Sequence, residues 1–161
     1  VYKRQEQPPA PDRLAFAETL ARRLSPRPVY VPESYAAASG AIPLICTAIS
    51  GGNFVQRLQE AAAGRDRAGG LALDVQRLRM DFTLPAQSGE GRPLSGRELQ
   101  DLLARYFTYD RDGETHFVLF DDADTLSQKL RTGGNMGFAA AFLMYPEVQD
   151  LLPKLFPGRR T

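Results

Sequence analysis

The chain has 161 residues, of which 43% are hydrophobic and 24% charged, a balance typical of globular proteins and unlike that of disordered ones. The 20 basic and 19 acidic residues give a net charge of +1, which provides no overall attraction for nucleic acid or anionic membranes. No apolar run approaches the roughly 18 residues that a membrane-spanning helix needs. We therefore expect another protein as the partner, no nucleic acid and no transmembrane segment.

The chain contains one cysteine, Cys46, and one histidine, His116. A single cysteine cannot form an intramolecular disulfide, which favours a reducing compartment such as the cytoplasm, although a periplasmic protein without disulfides has the same pattern. Structural zinc sites usually need four Cys or His ligands. We therefore expect no metal and no cofactor.

The N-terminal segment is rich in proline and begins with Val1 rather than Met. We expect that a preceding part of the protein is missing, and that this chain is a C-terminal domain. Residues 1–11 are interpreted as a linker or non-native segment, and residues 12–161 as a single domain. Asp12 is placed to cap a helix that runs to Leu24.

The first half of the domain shows short strand signals and one capped helix. Residues 29–31 and 41–49 have the composition of buried strands, and Pro43 places the pairing region of the second one after it, or the segment on an edge. Asn53 is a natural N-cap for a helix over residues 54–63, and Gln56 follows at capping-box spacing.

Residues 71–84 give the longest strand signal, but the apolar phase changes within it. Apolar residues occupy odd positions up to Val75 and even positions from Leu78. Because strand side chains alternate with period two, a single straight strand would present these two halves on opposite faces. The change predicts a bulge or bend near Gln76 and Arg77, or two separate strands.

The second half contains a strong hairpin signal. Ser95 and Glu98 form a capping-box pair for a helix, and Asp112-Gly113 joins two runs rich in aromatic and β-branched residues. A short helix is expected over residues 125–131. The glycines at 132–135 predict a break, and the apolar run 136–145, with three consecutive alanines, favours another helix. Pro146 begins a last amphipathic helix.

This order of elements predicts an α+β fold with one mainly antiparallel sheet and helices packed on one face. The mixture of a hairpin, alternating strands and capped helices carries this prediction.

A catalytic interpretation is available in the residues Cys46, His116 and Asp121 or Asp122, which follow the chain order of papain-like cysteine hydrolases. Such a mechanism needs a thiolate activated by an imidazole, with a third group that orients the imidazole. Cys46 lies within an apolar run instead of at a helix N-terminus, which is where those enzymes place it. A core cysteine and a strand histidine are the simpler interpretation.

Two other sets of residues are candidate ligand sites. Asp121, Asp122 and Asp124 have oxygen ligands suited to a divalent cation, but an aspartate between a strand and a helix is more often an N-cap. The loop around residues 133–137, with Gly133, Gly134 and Asn135, is a candidate for binding an anion or small ligand through backbone N–H groups, against a flexible connector.

Since no specific catalytic constellation is present, the leading hypothesis is a non-enzymatic α+β module that binds another protein or a small ligand. The predicted contact surface is the hairpin, with Tyr106, Tyr109 and Arg111, because Tyr and Arg are enriched at interface hot spots.

Overall fold

The computed structural model describes residues 9–48, 53–63, 70–84, 91–103 and 108–158. Within these ranges the chain forms eight strands, six α-helices and one 3-10 helix, Glu33–Tyr35. The strands are β1 Tyr30–Pro32, β2 Ile42–Cys46, β3 Ala72–Val75, β4 Arg79–Leu84, β5 Arg92–Pro93, β6 Thr108–Arg111, β7 Glu114–Phe120 and β8 Ala140–Leu143. The helices are α1 Pro11–Leu24, α2 Phe54–Ala62, α3 Gly96–Leu103, α4 Ala123–Asn135, α5 Tyr145–Val148 and α6 Leu152–Leu155.

One sheet is parallel throughout and has the strand order β1-β2-β3-β8. Pro43 lies in its second strand, which pairs on both sides. The amide of Ile42 donates to Val29 on the β1 side, so the proline nitrogen faces β3. Pairing with β3 begins only at Leu44, one residue later, so no ladder hydrogen bond is lost. The prediction that pairing follows Pro43 is confirmed on this side.

The second sheet is antiparallel and has the order β5-β4-β7-β6. Strands β6 and β7 form the predicted hairpin, and its turn residues Asp112 and Gly113 both have positive φ, 54° and 81°. Positive φ at both central residues is the geometry that favours Asp-Gly in tight hairpins. The α+β class is confirmed, and the strands divide into one parallel and one antiparallel sheet.

The change of apolar phase in residues 71–84 marks the passage from one sheet to the other. Strand β3 ends at Val75 in the parallel sheet, and β4 begins at Arg79 in the antiparallel sheet. The connecting segment is fixed by Asp121, which donates its N–H to the Leu78 carbonyl at 2.8 Å and accepts the Leu78 N–H at 2.9 Å. The two-strand alternative is therefore correct.

The hydrophobic core lies on one face of the parallel sheet. Leu73 and Val75 of β3 pack there with Leu58 of α2, Leu126 of α4 and Val148 of α5, all almost completely buried. A smaller cluster joins α1 to the residues around β1 on the same face. In the antiparallel sheet, helix α3 packs Leu99 and Leu102 against Val118.

The helix caps predicted at Asn53 and Ser95 are present. The Asn53 side chain accepts from the amides of Val55 and Gln56. Ser95 and Glu98 exchange the two hydrogen bonds of a capping box, at 3.2 and 2.9 Å. Arg92 first, and then Ser95, lower the pKa of Glu98 to about 2.

Two local expectations were wrong. Helix α1 begins at Pro11 with Ala10 as its N-cap, so Asp12 lies in the first turn and does not cap the helix. The run 136–145 is not a helix: Gly137, with φ 86°, follows α4 and redirects the chain, and residues 140–143 form β8. Pairing with β3 overrides the helix propensity of the alanines.

The glycines of α4 provide a matched test of packing. A Cβ at Gly133 would lie 2.5 Å from Leu73 Cδ1 and 3.1 Å from its Cγ, whereas a Cβ at Gly134 meets nothing within 4 Å. We expect Gly134→Ala to raise the free energy of unfolding by about 0.5–1 kcal/mol through helix propensity. Gly133→Ala should lower it by about 1–2 kcal/mol because the buried Leu73 cannot move freely. Urea denaturation measures both, and equal effects would contradict the close packing of α4 on β3.

Candidate functional site

The core clusters that the described residues form on the parallel sheet all lie on one of its faces. In a parallel pair, partner residues point to the same side, so the strand registers assign each side chain to a face. The core clusters among the described residues draw on the face that carries Val31, Ile45 and Leu73. The opposite face, called here the uncovered face, contributes no side chain to those clusters. It carries Tyr30, Pro32, Ile42, Leu44, Cys46, Ala72, Asp74, Ala140 and Phe142.

The strand residues of the uncovered face are mainly apolar, with Asp74 as the charged exception, and two of them are aromatic. Tyr30 on β1 and Phe142 on β8 belong to the two edge strands, yet their rings meet edge-to-face with centroids 4.7 Å apart. The two central strands lie between those edges. Phe142 remains 42% exposed. Parallel sheets are normally buried on both faces, so a face of such a sheet with a partly exposed phenylalanine is unusual.

A groove adjoins α1. It has a volume of about 260 Å³, and its walls include Phe16 and Leu20 of α1 together with Tyr30 and Tyr35. Phe16 is 68% exposed, and Tyr30 belongs to both the groove and the uncovered face. Tyr30 therefore lies where the groove, which adjoins α1 on the covered side of the sheet, meets the uncovered face.

The segment that contains β8 adds further exposed apolar groups. Met144 and Tyr145 follow the strand and are 59% and 64% exposed. No charged residue occurs between Arg131 and Glu147. Large exposed apolar patches of this kind mark interaction surfaces in globular proteins.

A polar cluster occupies the α3-covered face of the antiparallel sheet, centred on the buried carboxylate of Asp81. Tyr109 donates its hydroxyl to Asp81 Oδ2 at 2.8 Å, and His116 Nδ1 lies 3.2 Å from Oδ1. Arg92 on the neighbouring strand lies 3.6 Å from the same carboxylate. The Asp81 and His116 side chains are 4% and 14% exposed. This arrangement holds the imidazole through Nδ1 and ties three strands to one carboxylate.

The hairpin residues predicted for contact are engaged within this cluster. The Tyr109 ring stacks on His116 with centroids 4.7 Å apart, and Arg111 lies over the ring at 5.4 Å. Burial, followed by the hydrogen bond to Asp81, raises the pKa of Tyr109. Tyr106 lies outside the described residues. The hairpin surface stays a prediction, but the polar end and one ring face of Tyr109 are already occupied.

A buried ion pair lies where the two sheets meet. Lys129 of α4 donates to Asp121 Oδ2 at 2.7 Å and to the Thr47 carbonyl at 3.3 Å. Asp121 also accepts the Leu78 amide, so the pair joins the end of β2, the passage between β3 and β4, and α4. Thr47 is fully buried, and its hydroxyl has no hydrogen-bond partner among the residues that the structure describes. These contacts are those of a structural connector.

The residues of the catalytic interpretation are not brought together. Cys46 lies on β2 in the parallel sheet, whereas His116 lies on β7 in the antiparallel sheet and pairs with Asp81. Asp121 binds Lys129, and Asp122 caps α4 by accepting from the Thr125 amide at 2.8 Å. Burial raises the pKa of the Cys46 thiol, which opposes formation of the nucleophilic thiolate.

The other predicted ligand sites also have structural roles. Asp122 is the N-cap that the sequence indicated, and its hydrogen bonds with Thr125 lower the pKa of the carboxyl group. Gly133, Gly134 and Asn135 form the last turn of α4 instead of a loop before a helix. That end of a helix presents carbonyl groups and a partial negative charge, which disfavour an anion. Residues 133–135, which were predicted to lie in a loop, therefore belong to a helix.

Comparisons with protein-family models, with curated proteins and with solved structures each found no match. Within the described ranges, no group of three His, Cys, Asp or Glu side chains is arranged to hold a metal ion. None of the helices described there is long and apolar enough to cross a bilayer.

Proposed function

We propose that the chain is a non-enzymatic module that binds a partner protein on the uncovered face of its parallel sheet. The single observation that carries this proposal is the distribution of the core: every described core cluster of that sheet lies on one face, while Tyr30 and Phe142 line the other. A partner that covers this face would supply the second layer that parallel sheets normally have.

The chemistry of the surface selects the partner's side chains. The uncovered face and the adjoining groove expose aromatic and aliphatic groups, and the only ionisable side chain in the groove lining, apart from its tyrosines, is Arg13. Such a surface fits a segment with apolar anchor residues, for which aromatic and Met side chains are the usual counterparts at interface centres. Burial of these groups supports binding at roughly 25 cal/mol for each Å² removed from water.

Peptide selection tests this proposal. A random peptide library displayed on phage is selected against the chain, and each selected peptide is measured against two variants. Phe142→Ser changes the uncovered face, and Phe156→Ser changes a phenylalanine of similar exposure, 38% against 42%, near the end of α6. We expect apolar peptides whose affinity falls about 30-fold for Phe142→Ser, as for a hot-spot residue, and stays unchanged for Phe156→Ser. Equal affinities for both variants would refute the assignment.

A further inference from the structure

We propose that a second copy of this chain pairs with the outer edge of β8, in antiparallel orientation about a two-fold axis, to form a continuous eight-stranded sheet. This dimer goes beyond the proposed function. It names a second partner for the same sheet, bound at the sheet's edge and not on the uncovered face.

Strand β8 has an edge that no described strand occupies. Among the described strands it pairs with β3 alone, and Ala141 and Phe142, which point to opposite faces, are both exposed. Side chains exposed on both faces show that the described parts of the chain do not wrap around this strand. The Asp74 carbonyl accepts from the Thr47 amide on the β2 side, so Leu73 and Val75 direct their backbone groups toward β8. In a parallel ladder the register partner of such a residue faces away, so Ala141 and Leu143, the partners of Leu73 and Val75, direct their N–H and C=O groups outward.

The composition of β8 separates it from the other edge strands that the structure describes. Strand β1 ends in Pro32, β5 consists of Arg92 and Pro93, and β6 carries Asp110 and Arg111. Proline and charge are the features that protect sheet edges against pairing with another chain. Strand β8, with the sequence Ala-Ala-Phe-Leu, has neither feature. It is the edge among these four that is suited to accept another strand.

The absence of charged residues around β8 favours a second copy of the chain as the partner of this edge. In a contact about a two-fold axis, each residue near the axis meets its own copy, so any charged residue there would face a like charge. The uncharged stretch between Arg131 and Glu147 avoids this repulsion on both sides of β8. For the two copies to form one sheet with continuous faces, the two-fold axis must be perpendicular to the sheet. In the two registers that pair the most residues of β8, this axis passes beside Ala141 or beside Phe142. The same operation doubles the uncovered face and leaves it accessible.

Paired charge substitutions test this assembly. Ala141 is exposed and lies at or next to the axis, so Ala141→Lys places two ammonium groups within about one Debye length of each other, roughly 10 Å. Sedimentation equilibrium at micromolar concentration should give the wild type twice the chain mass of 17.8 kDa, and Ala141→Lys and Ala141→Glu each the single mass. An equimolar mixture of the two variants should recover the doubled mass. Thr108→Lys, on the exposed end of β6, is the matched control and should keep it.

A monomeric wild type, dimeric single variants or a mixture that stays monomeric would each overturn the self-pairing. Circular dichroism checks that the variants are folded. If Ala141→Lys does not fold, Ala141→Pro replaces it, since proline there removes only an outward N–H and should also give the single mass. A monomeric chain that still binds peptides on the uncovered face would refute the dimer and leave the proposed function standing. A dimer without peptide binding would do the reverse.

Discussion

Replacing Lys129 with methionine is expected to lower the free energy of unfolding by about 3–5 kcal/mol. The side chains of Lys129 and Asp121 are 11% and 4% exposed, so the substitution leaves a buried carboxylate without its cation. The Thr47 carbonyl loses a donor as well. Since this pair joins the two sheets, the loss should appear in a single urea transition that involves both of them.

Two further variants separate the buried charge from general loss of packing. The exposed pair Arg57–Glu33, whose side chains are about one-third accessible (31% and 34%), provides the control: Arg57→Met should cost about 0–1 kcal/mol. The double substitution Lys129→Met with Asp121→Asn removes both buried charges but keeps an oxygen for the Leu78 amide. We expect it to recover at least half of the loss. A Lys129→Met variant no less stable than Arg57→Met would contradict the structural role of the pair.

Asp81→Ala should lower the free energy of unfolding by about 3 kcal/mol, because it leaves the Tyr109 hydroxyl and the His116 ring without their common acceptor. Asp110→Ala is the matched control on the adjacent strand. Asp110 is exposed and accepts only the Thr115 hydroxyl, so its loss should cost less than about 0.5 kcal/mol. Equal destabilisation of the two variants would show that Asp81 does not organise the antiparallel sheet.

The same cluster predicts a dependence of stability on alkaline pH. The pKa of Tyr109 is raised in the folded state, first by burial and then by Asp81. The unfolded phenol loses its proton near its ordinary pKa of about 10. The stabilisation is therefore complete below about pH 10 and is lost as the pH rises through the folded value. Tyr109→Phe should remove this part of the pH dependence in unfolding measurements above pH 9.

Local signals predicted the parts of the fold that depend on a few neighbouring residues. Asp112-Gly113 requires positive φ at both positions and therefore identifies its turn, and the caps at Asn53 and Ser95 act within four residues. The phase change after Val75 also marked a real boundary. No local signal predicts the parallel pairing of β3 with β8, because the paired residues are separated by more than 60 positions in the chain. Without that pairing, the helix propensity of the alanines in β8 predicted a helix.

The important buried polar groups were missed for a related reason. Lys129 stands three residues after Leu126 and four before Gly133, on the face of α4 that packs into the core, so helical periodicity does contain this signal. Asp81 lies between Met80 and Phe82 on the side that alternation marks as polar. That side is buried only because α3 covers it, which requires the tertiary structure. The uncovered face could not be predicted from the sequence either, because only the strand registers assign its residues to one side of the sheet.

Photo-crosslinking from position 142 shows whether a peptide binds on the uncovered face. p-Azidophenylalanine is placed at position 142, on the uncovered face, or at position 156, where a phenylalanine is exposed to a similar extent. Each labelled chain is irradiated with the same selected peptide at a concentration that saturates the wild type. We predict a crosslinked peptide from position 142 and none from position 156. Crosslinking from position 156 alone, or to the same extent from both positions, would contradict a binding site on the uncovered face of the parallel sheet.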